Sequence, residues 1–430
     1  MAKTHDLSSE SILNVATIRH RTGTVAALDV GTSKVCCIIA RLDEAGVKQI
    51  AGVGHQLSAG VRGGVIVDMD AAEESICAAV HAAEQMAGER ITDVVVNLSG
   101  GQQESRLYGM EVSVAGHEIS DNDVDRLLRE WRLHHDDFDR EVIHTIPVGY
   151  NIDGVGGIRD PRGMFGDKMG VDVHVVTANG SAIRNLATCV QRSHLEIEAF
   201  VSSPLAAGLA CLTDDEKQLG VTLIDMGAGC TTVSVFVDGE LVFVDSASVG
   251  GGHVTNDVAR GLSTTISHAE RLKTLYGSAL PSPSDEREIL QVPLVGEDDG
   301  RATNQVPRSM LGRIIRPRIE EIFEIIRAKI HDSGLEPVAG RRVVLTGGAS
   351  QLQGLREVGS QILDKQLRLG RPIHVQGLAE IASGPAFSAC AGLISYLSLE
   401  RPEIRAFKRK PKRETSNAFG KFGLWLRENF

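Results

Sequence analysis

Two aspartates carry the first chemical signal. Ala27-Leu28-Asp29-Val30-Gly31-Thr32-Ser33-Lys34 and Leu223-Ile224-Asp225-Met226-Gly227-Ala228-Gly229-Cys230-Thr231-Thr232 share one grammar: apolar strand, Asp, apolar residue, Gly, small residues, strand. Glycine at the tip permits positive φ, so the chain can turn tightly and aim N–H groups at an anion. The hydroxyls of Thr32, Ser33, Thr231 and Thr232 add donors, and Lys34 adds a point charge. Each Asp stands where its strand ends, placed to hold water on a divalent cation. One Asp-x-Gly turn is ordinary; two with matched flanks indicate a duplicated domain gripping one phosphate chain from both sides.

A third stretch, Val343-Val344-Leu345-Thr346-Gly347-Gly348-Ala349-Ser350, runs from an apolar strand into paired glycines, leaving room for a flat ring against the backbone. Between it and the second Asp hairpin lie Gly250-Gly251-Gly252, opening a helix whose N-terminus suits an anion, and the helical Ala269-Glu270-Arg271-Leu272-Lys273. In this order the motifs resemble the actin/Hsp70/sugar-kinase ATPase superfamily over roughly residues 23 to 399. The resemblance implies an α/β fold of duplicated actin-like (ribonuclease H-like) domains around a nucleotide cleft, with ATP and Mg²⁺ as ligands. It places Gly31, Thr32, Ser33 and Lys34 in the first phosphate turn. Gly227, Gly229 and Thr231 fall at the β- and γ-phosphates, and Asp29 and Asp225 at Mg²⁺ through water. Gly250, Gly251 and Gly252 line the phosphate side, with Glu270 and Lys273 at ribose or adenine and Gly347, Gly348 and Ser350 at adenine. Glu270 and Lys273 are also spaced i, i+3, as in a plain helix-surface ion pair. No general base is evident; Asn97 lies where some relatives carry a polar catalytic residue, so ATP is expected to act mainly as an assembly ligand with weak hydrolysis at most.

The bulk properties fit that picture. A chain of 430 residues with 42% hydrophobic and 23% charged residues can hold several packed domains. A net charge of −11 and only 4% aromatic residues argue against general nucleic-acid binding. The seven cysteines form no C-x-x-C pair, which fits a reducing compartment. The first twenty residues lack the apolar core of a signal peptide, and no run reaches the roughly 18 apolar residues of a spanning helix.

Apolar patterning divides the chain as follows. Residues 1–22 read as a polar extension. Residues 23–101, 179–213 and 384–399 form the first actin-like core, and 214–262 with 336–383 the second. Residues 263–335 form a subdomain carrying a polar loop (281–309) and a long helix from 311. Residues 102–178 form an insert of different texture. Its loop Gly157-Ile158-Arg159-Asp160-Pro161-Arg162-Gly163-Met164-Phe165-Gly166 resembles the G-I-x-x-P-x-G-x-x-G loop of the bacterial FtsA cell-division family. That resemblance implies self-association into filaments, recruitment of later division proteins through 102–178, and capture of the C-terminal peptide of the tubulin-like FtsZ by 263–335. Asn304, Arg308 and Arg313 are candidate contacts for this acidic peptide.

The tail completes the pattern. Residues 400–414 are a basic linker; beyond it, in 415–430, Phe419, Phe422, Trp425, Leu426 and Phe430 fall on one helical arc. An aromatic face behind a basic linker suits the interface of an anionic membrane, here the inner face of the cytoplasmic membrane at the division site. Competing readings are a small-molecule kinase, which would need a catalytic Asp in the cleft, and a pilus or secretion scaffold, which would lack the aromatic tail. His134-His135-Asp136-Asp137 reads as a solvated helix end, and His144 and His174 as structural residues in apolar strands.

Overall fold

A computed structural model describes residues 23–43, 48–134, 140–296, 303–373, 375, 377 and 382–398. Strands β1 (Gly23–Val30) and β2 (Lys34–Leu42) are apolar on both faces and buried along most of their length. They pair as a hairpin with Asp29 opposite Cys36. Next come β3 (Lys48–Leu57), the short hairpin β4 (Val61–Arg62) and β5 (Val65–Ile66), α1 (Met69–Ala87) and β6 (Asp93–Leu98). Asp68 caps α1 by accepting from the Asp70 and Ala71 N–H groups. An inserted unit follows: β7 (Glu104–Ser113), α2 (Asp121–His134), β8 (Glu141–Ile152), β9 (Val155–Ile158) and β10 (Lys168–Ala178). The chain returns through α3 (Gly180–Arg192), β11 (Glu196–Ser202) and the crossover helix α4 (Ser203–Cys211).

The second half repeats the first. After α5 (Asp214–Leu219) come β12 (Val221–Met226), β13 (Thr231–Val237), β14 (Glu240–Ala247), α6 (Gly251–Gly261), α7 (Ile266–Tyr276), β15 (Ile289–Pro293), β16 (Thr303–Pro307) and α8 (Arg308–Asp332). Then β17 (Arg342–Thr346), α9 (Leu355–Leu363), β18 (Gln366–Leu369) and α10 (Ser388–Tyr396) finish the described chain. The first sheet runs β11-β6-β1-β2-β3, and the second begins in the same way with β18-β17-β12-β13-β14. In both, the hairpin strand carrying the key Asp lies parallel to its neighbour, with Asp29 beside Asn97 and Asp225 beside Thr346. This is the actin-like α/β fold expected from the duplicated motif.

The second sheet does not stop at β14. It continues β14-β7-β10-β8-β9, so the inserted strands extend the second half's sheet although their sequence interrupts the first half. The largest apolar cluster joins Ile38 and Val95 of the first half, Phe236 and Val344 of the second, and Val176 of the insert around α4 and α10. A separate core, with Trp131 and Val173 at its centre, lies under α2. His144 and His174 are fully buried, and His144 Nε2 accepts from the Ser202 N–H at 2.9 Å.

Several local expectations change. The loop expected over 281–309 contains the hairpin β15–β16. The long helix starts at Arg308 rather than 311, because Pro307, extended at φ −68° and ψ 142°, is compatible with the residue just before a first turn. The segments 1–22 and 399–430 lie outside the described residues.

Candidate functional site

The two Asp hairpins meet at their tips. Each turn is closed by the same bond: Gly31 N–H donates to the Lys34 carbonyl at 3.0 Å, and Gly227 N–H to the Cys230 carbonyl at 2.9 Å. Gly229 lies so close to the first hairpin that a β-carbon would stand 2.3 Å from Thr32 Oγ1 and 2.8 Å from the Gly63 nitrogen. Thr32 Oγ1 in turn accepts from the Gly64 N–H at 2.9 Å. Cys230 reaches across the halves, its thiol donating to the Ser99 carbonyl at 3.1 Å. Burial pushes that thiol up to about 12, so it is a neutral donor and not a nucleophile.

The two carboxyls are held by partners that differ between the halves. Asn97 Nδ2 donates to Asp29 Oδ1 at 2.7 Å, and Ser203 Oγ donates to Asp225 Oδ2 at 2.8 Å. Burial raises the Asp29 pKa against the opposing Lys34 charge and Asn97 hydrogen bond. Burial likewise pushes Asp225 up to about 6; the Ser203 hydrogen bond opposes the shift and the Asp29 charge adds to it. Two nearby carboxyls, Asp29 buried and Asp225 partly buried, that disfavour each other's ionisation gain most from a cation or a shared proton. Asn97 Oδ1 and Thr232 Oγ1 are buried there without a protein partner, which leaves polar capacity for something bound.

The glycine-rich loops close around the second hairpin. Gly347, at φ +85° and ψ 164°, passes so near Asp225 that a β-carbon would meet Oδ1 at 2.3 Å. The Gly251 and Gly252 N–H groups donate to the Gly227 and Ala228 carbonyls at 2.9 and 2.8 Å. They therefore brace the second turn; they do not project as free donors, and Gly250 N–H donates to His253 Nδ1. Thr231, expected beside phosphate, is wholly buried with its hydroxyl donating to the Val249 carbonyl at 2.7 Å. Lys34 donates to the Ala386 carbonyl and lies 3.3 Å from the Phe387 ring centroid, so its charge reaches the aspartates only through space. Ser33 is exposed, and Ser350 Oγ donates to the Gly347 carbonyl at 2.7 Å.

Glu270 and Lys273 form the i, i+3 pair at 2.7 Å, but it is more than a surface pair. Lys273 Nζ also donates to Thr255 Oγ1 at 2.8 Å and the Gly251 carbonyl at 3.1 Å, tying α7 to the start of α6. Burial raises the Glu270 pKa, yet the bonds from Lys273 and Thr255 outweigh it and hold the carboxyl below its ordinary value.

In the 263–335 region, Arg308 is engaged internally with the Tyr276 carbonyl at 2.9 Å and Glu288 at 2.9 Å. Arg313, more exposed, pairs with Glu286 at 3.0 Å, and Asn304 lies on β16 opposite Val292. Phe419, Phe422, Trp425, Leu426 and Phe430 fall outside the described residues, as do His135, Asp136 and Asp137; His134 Nδ1–H donates to the Glu130 carbonyl at 2.8 Å. Sequence reading missed Ser203. Its only signal is Ser-Pro before an apolar run, which marks a helix start but not the carboxyl that helix would meet.

A family model described as Cell division protein FtsA matches residues 222–392, and one described as the SHS2 domain inserted in FtsA matches residues 100–177. A cell division protein FtsA of Rhizobium meliloti is 46% identical over 422 residues, covering 95% of this chain and 96% of that protein. The chain belongs to the FtsA family of cell division proteins. The FtsA of Pseudomonas aeruginosa is 34% identical across 86% of this chain and 88% of its own length. Among solved structures, the PilM-PilN type IV pilus biogenesis complex superposes with TM-score 0.62 at 17% identity, covering 87% of this chain and 98% of that one. MreB5 of Spiroplasma citri bound to AMPPNP does so with TM-score 0.52 at 12% identity, covering 87% and 95%. At such identities the likeness carries the fold alone. For this FtsA-family chain it places the facing Asp hairpins in an actin-like architecture.

Proposed function

We propose that this chain binds Mg·ATP between its two halves, assembles into filaments, and tethers FtsZ polymers to the inner face of the cytoplasmic membrane. The observation that carries the reading is the pair of facing hairpins with Asp29 buried and Asp225 partly buried at their roots. The site fits the ligand. The two carboxyls disfavour a second negative charge unless a cation intervenes, and the orphaned Asn97 Oδ1 and Thr232 Oγ1 offer acceptor or donor capacity. Among the described residues no cluster of three His, Cys, Asp or Glu forms a ready metal cage, so Mg²⁺ would draw most of its oxygens from phosphate and water. Asp29, Asp225 and the turns that begin at Gly31 and Gly227 would face the phosphates, with the Gly31 and Gly227 N–H groups themselves occupied in closing those turns, and the Gly347–Gly348 turn would face the base.

Membrane attachment rests on the 415–430 pattern. Among the described residues no helix is long and apolar enough to cross a bilayer. A single interfacial helix holds weakly, and filament assembly multiplies it. Partner capture rests on family membership: FtsZ at 263–335, where exposed Arg313 suits an acidic peptide better than internally paired Arg308, and later division proteins at 102–178.

The test is co-sedimentation of the full chain with anionic vesicles, with and without Mg·ATP, beside Trp425→Glu and a truncation after Arg413. Only the intact tail should pellet, more strongly when Mg·ATP drives assembly. Equal pelleting by Trp425→Glu would refute the anchor, and no effect of nucleotide on either pelleting or assembly would refute the ATP reading.

A further inference from the structure

The segment joining the first half to the insert lies against the second Asp hairpin. Cys230 of that hairpin contacts Ser99 at the segment's start. Four residues on, Gln103 is 1% exposed and tied to three places. Its Nε2 donates to the Leu98 carbonyl at 2.6 Å, its Oε1 accepts from Ser202 Oγ at 2.5 Å, and its carbonyl accepts from Ser246 Oγ of β14 at 3.0 Å. Ser105 then acts both ways: its hydroxyl donates to the Val244 carbonyl at 3.1 Å and accepts from the Val244 N–H at 2.7 Å. The β7–β14 ladder itself consists of one residue pair, Glu104 with Asp245. These side-chain bonds reinforce that single-pair join, where the insert's strands continue the second sheet.

A second attachment sits at the far end. Arg159, in the loop after β9, donates to the Asp238 carbonyl at 3.2 Å and to Gln218, gripping the β13–β14 turn and the end of α5. The insert is thus covalently rooted in the first half, where Asn179 N–H donates to the Gly101 carbonyl at 2.8 Å, yet hydrogen-bonded to the second half at two separated points. Any relative movement of the halves must drag the insert with the second half or break one of these attachments.

We propose that residues 99–105 and Arg159 form a clasp that makes the inserted unit follow the second half, so that the state of the Asp225 hairpin sets the orientation of the insert. The trigger rests on the nucleotide reading above; the clasp itself does not. Cys230 is its first contact, the Gln103 carbonyl with Ser105 and Arg159 its grips, while the Gln103 side chain, bonded to Leu98 and Ser202, pins the root of the insert to the first half. A partner bound to the insert would, by reciprocity, bias the hairpin.

Amide hydrogen exchange of the full chain tests this in two arms, using Ser105→Ala, Ser105→Thr and Ser105→Ala/Arg159→Ala. Without nucleotide, Ser105→Ala should raise exchange about fivefold both in 240–247 and in 141–158, and Ser105→Thr should not. A rise confined to 240–247 overturns the clasp. With Mg·ATP, wild type should slow in 222–232 and 141–158 together, whereas the double variant should slow only in 222–232. If 141–158 still responds in the double variant, or fails to respond in wild type while 222–232 does, the coupling is refuted. A hairpin that ignores Mg·ATP overturns the nucleotide reading instead, and the ligand-free arm still decides the clasp.

Discussion

Replacing Gly347 by Ala separates backbone strain from ligand function. Gly347 sits at φ +85°, ψ 164°, a region populated almost only by glycine, where any side chain costs on the order of 1–3 kcal/mol. The new methyl would also stand 2.3 Å from Asp225 Oδ1 and 2.5 Å from the Met226 carbonyl oxygen, too close for either to remain in place. Overpacking of this kind adds about 1–3 kcal/mol. The sum, about 2–6 kcal/mol, is a large share of a typical domain's 5–15 kcal/mol. Because relief must come from Asp225 or from the strand end behind it, nucleotide affinity should fall at least tenfold as a charge-assisted contact is displaced. Gly334→Ala is the matched control: its φ is +70° but nothing lies within 4 Å of the added carbon. That variant should lose about 1 kcal/mol and bind nucleotide as wild type does. Urea unfolding gives the first quantity, and titration with a fluorescent ATP analogue the second. If Gly347→Ala loses no more stability than Gly334→Ala and binds within twofold of wild type, the argument that Gly347 seats Asp225 is refuted.

Asp225 predicts a pH effect. Its carboxyl is pushed up to about 6 from an ordinary 3.8, so the folded chain holds this proton more tightly than the unfolded one. The resulting stabilisation is full below about 3.8 and lost as pH rises through about 6, a swing of at most about 3 kcal/mol. Asp225→Asn should therefore be more stable than wild type at pH 7.5 without ligand, with the gap closing near pH 4; an equal gap at both pH values in urea titrations would contradict this. Arg368→Ala should cost about 3 kcal/mol, because Arg368 Nε pairs at 2.7 Å with Glu216, a carboxylate only 7% exposed. The double variant with Glu216→Gln should recover a large part of that loss, and a strictly additive cycle would show that the pair is not coupled.

Much of the fold was legible because it is written twice. Asp-x-Gly between apolar runs is a local signal: the strand pattern fixes the pairing. Gly31 and Gly227 do not take the positive φ expected of them and serve the turn by close approach instead, a β-carbon there standing 3.1 and 3.0 Å from the Lys34 and Cys230 carbonyl oxygens. Its repetition pointed to two similar sheets, which the chain has in the order β11-β6-β1-β2-β3 and β18-β17-β12-β13-β14. Gly347 and Gly348 stand out in the sequence as room for a flat ring against the backbone; of the two, Gly347 alone takes positive φ, at the end of β17.

What sequence could not assign was the partner of each polar atom. Thr231 has the residue type of a phosphate donor, but its hydroxyl satisfies the Val249 carbonyl, because a buried strand end leaves that acceptor no water. Lys34 looks free to meet an anion, yet the short turn Pro385–Phe387 before α10 brings Ala386 and Phe387 to it from more than three hundred residues away in sequence. Ser203 carries no motif and becomes important only because α4 crosses between the halves beside Asp225. The insert's attachment to the second half was likewise invisible, since the few bonds of Gln103, Ser105 and Arg159 that make it join residues 59 to 143 positions apart. Local pattern determined the elements and their duplication; which donors remained free was decided by packing, because a buried polar group takes whatever partner tertiary structure brings within reach.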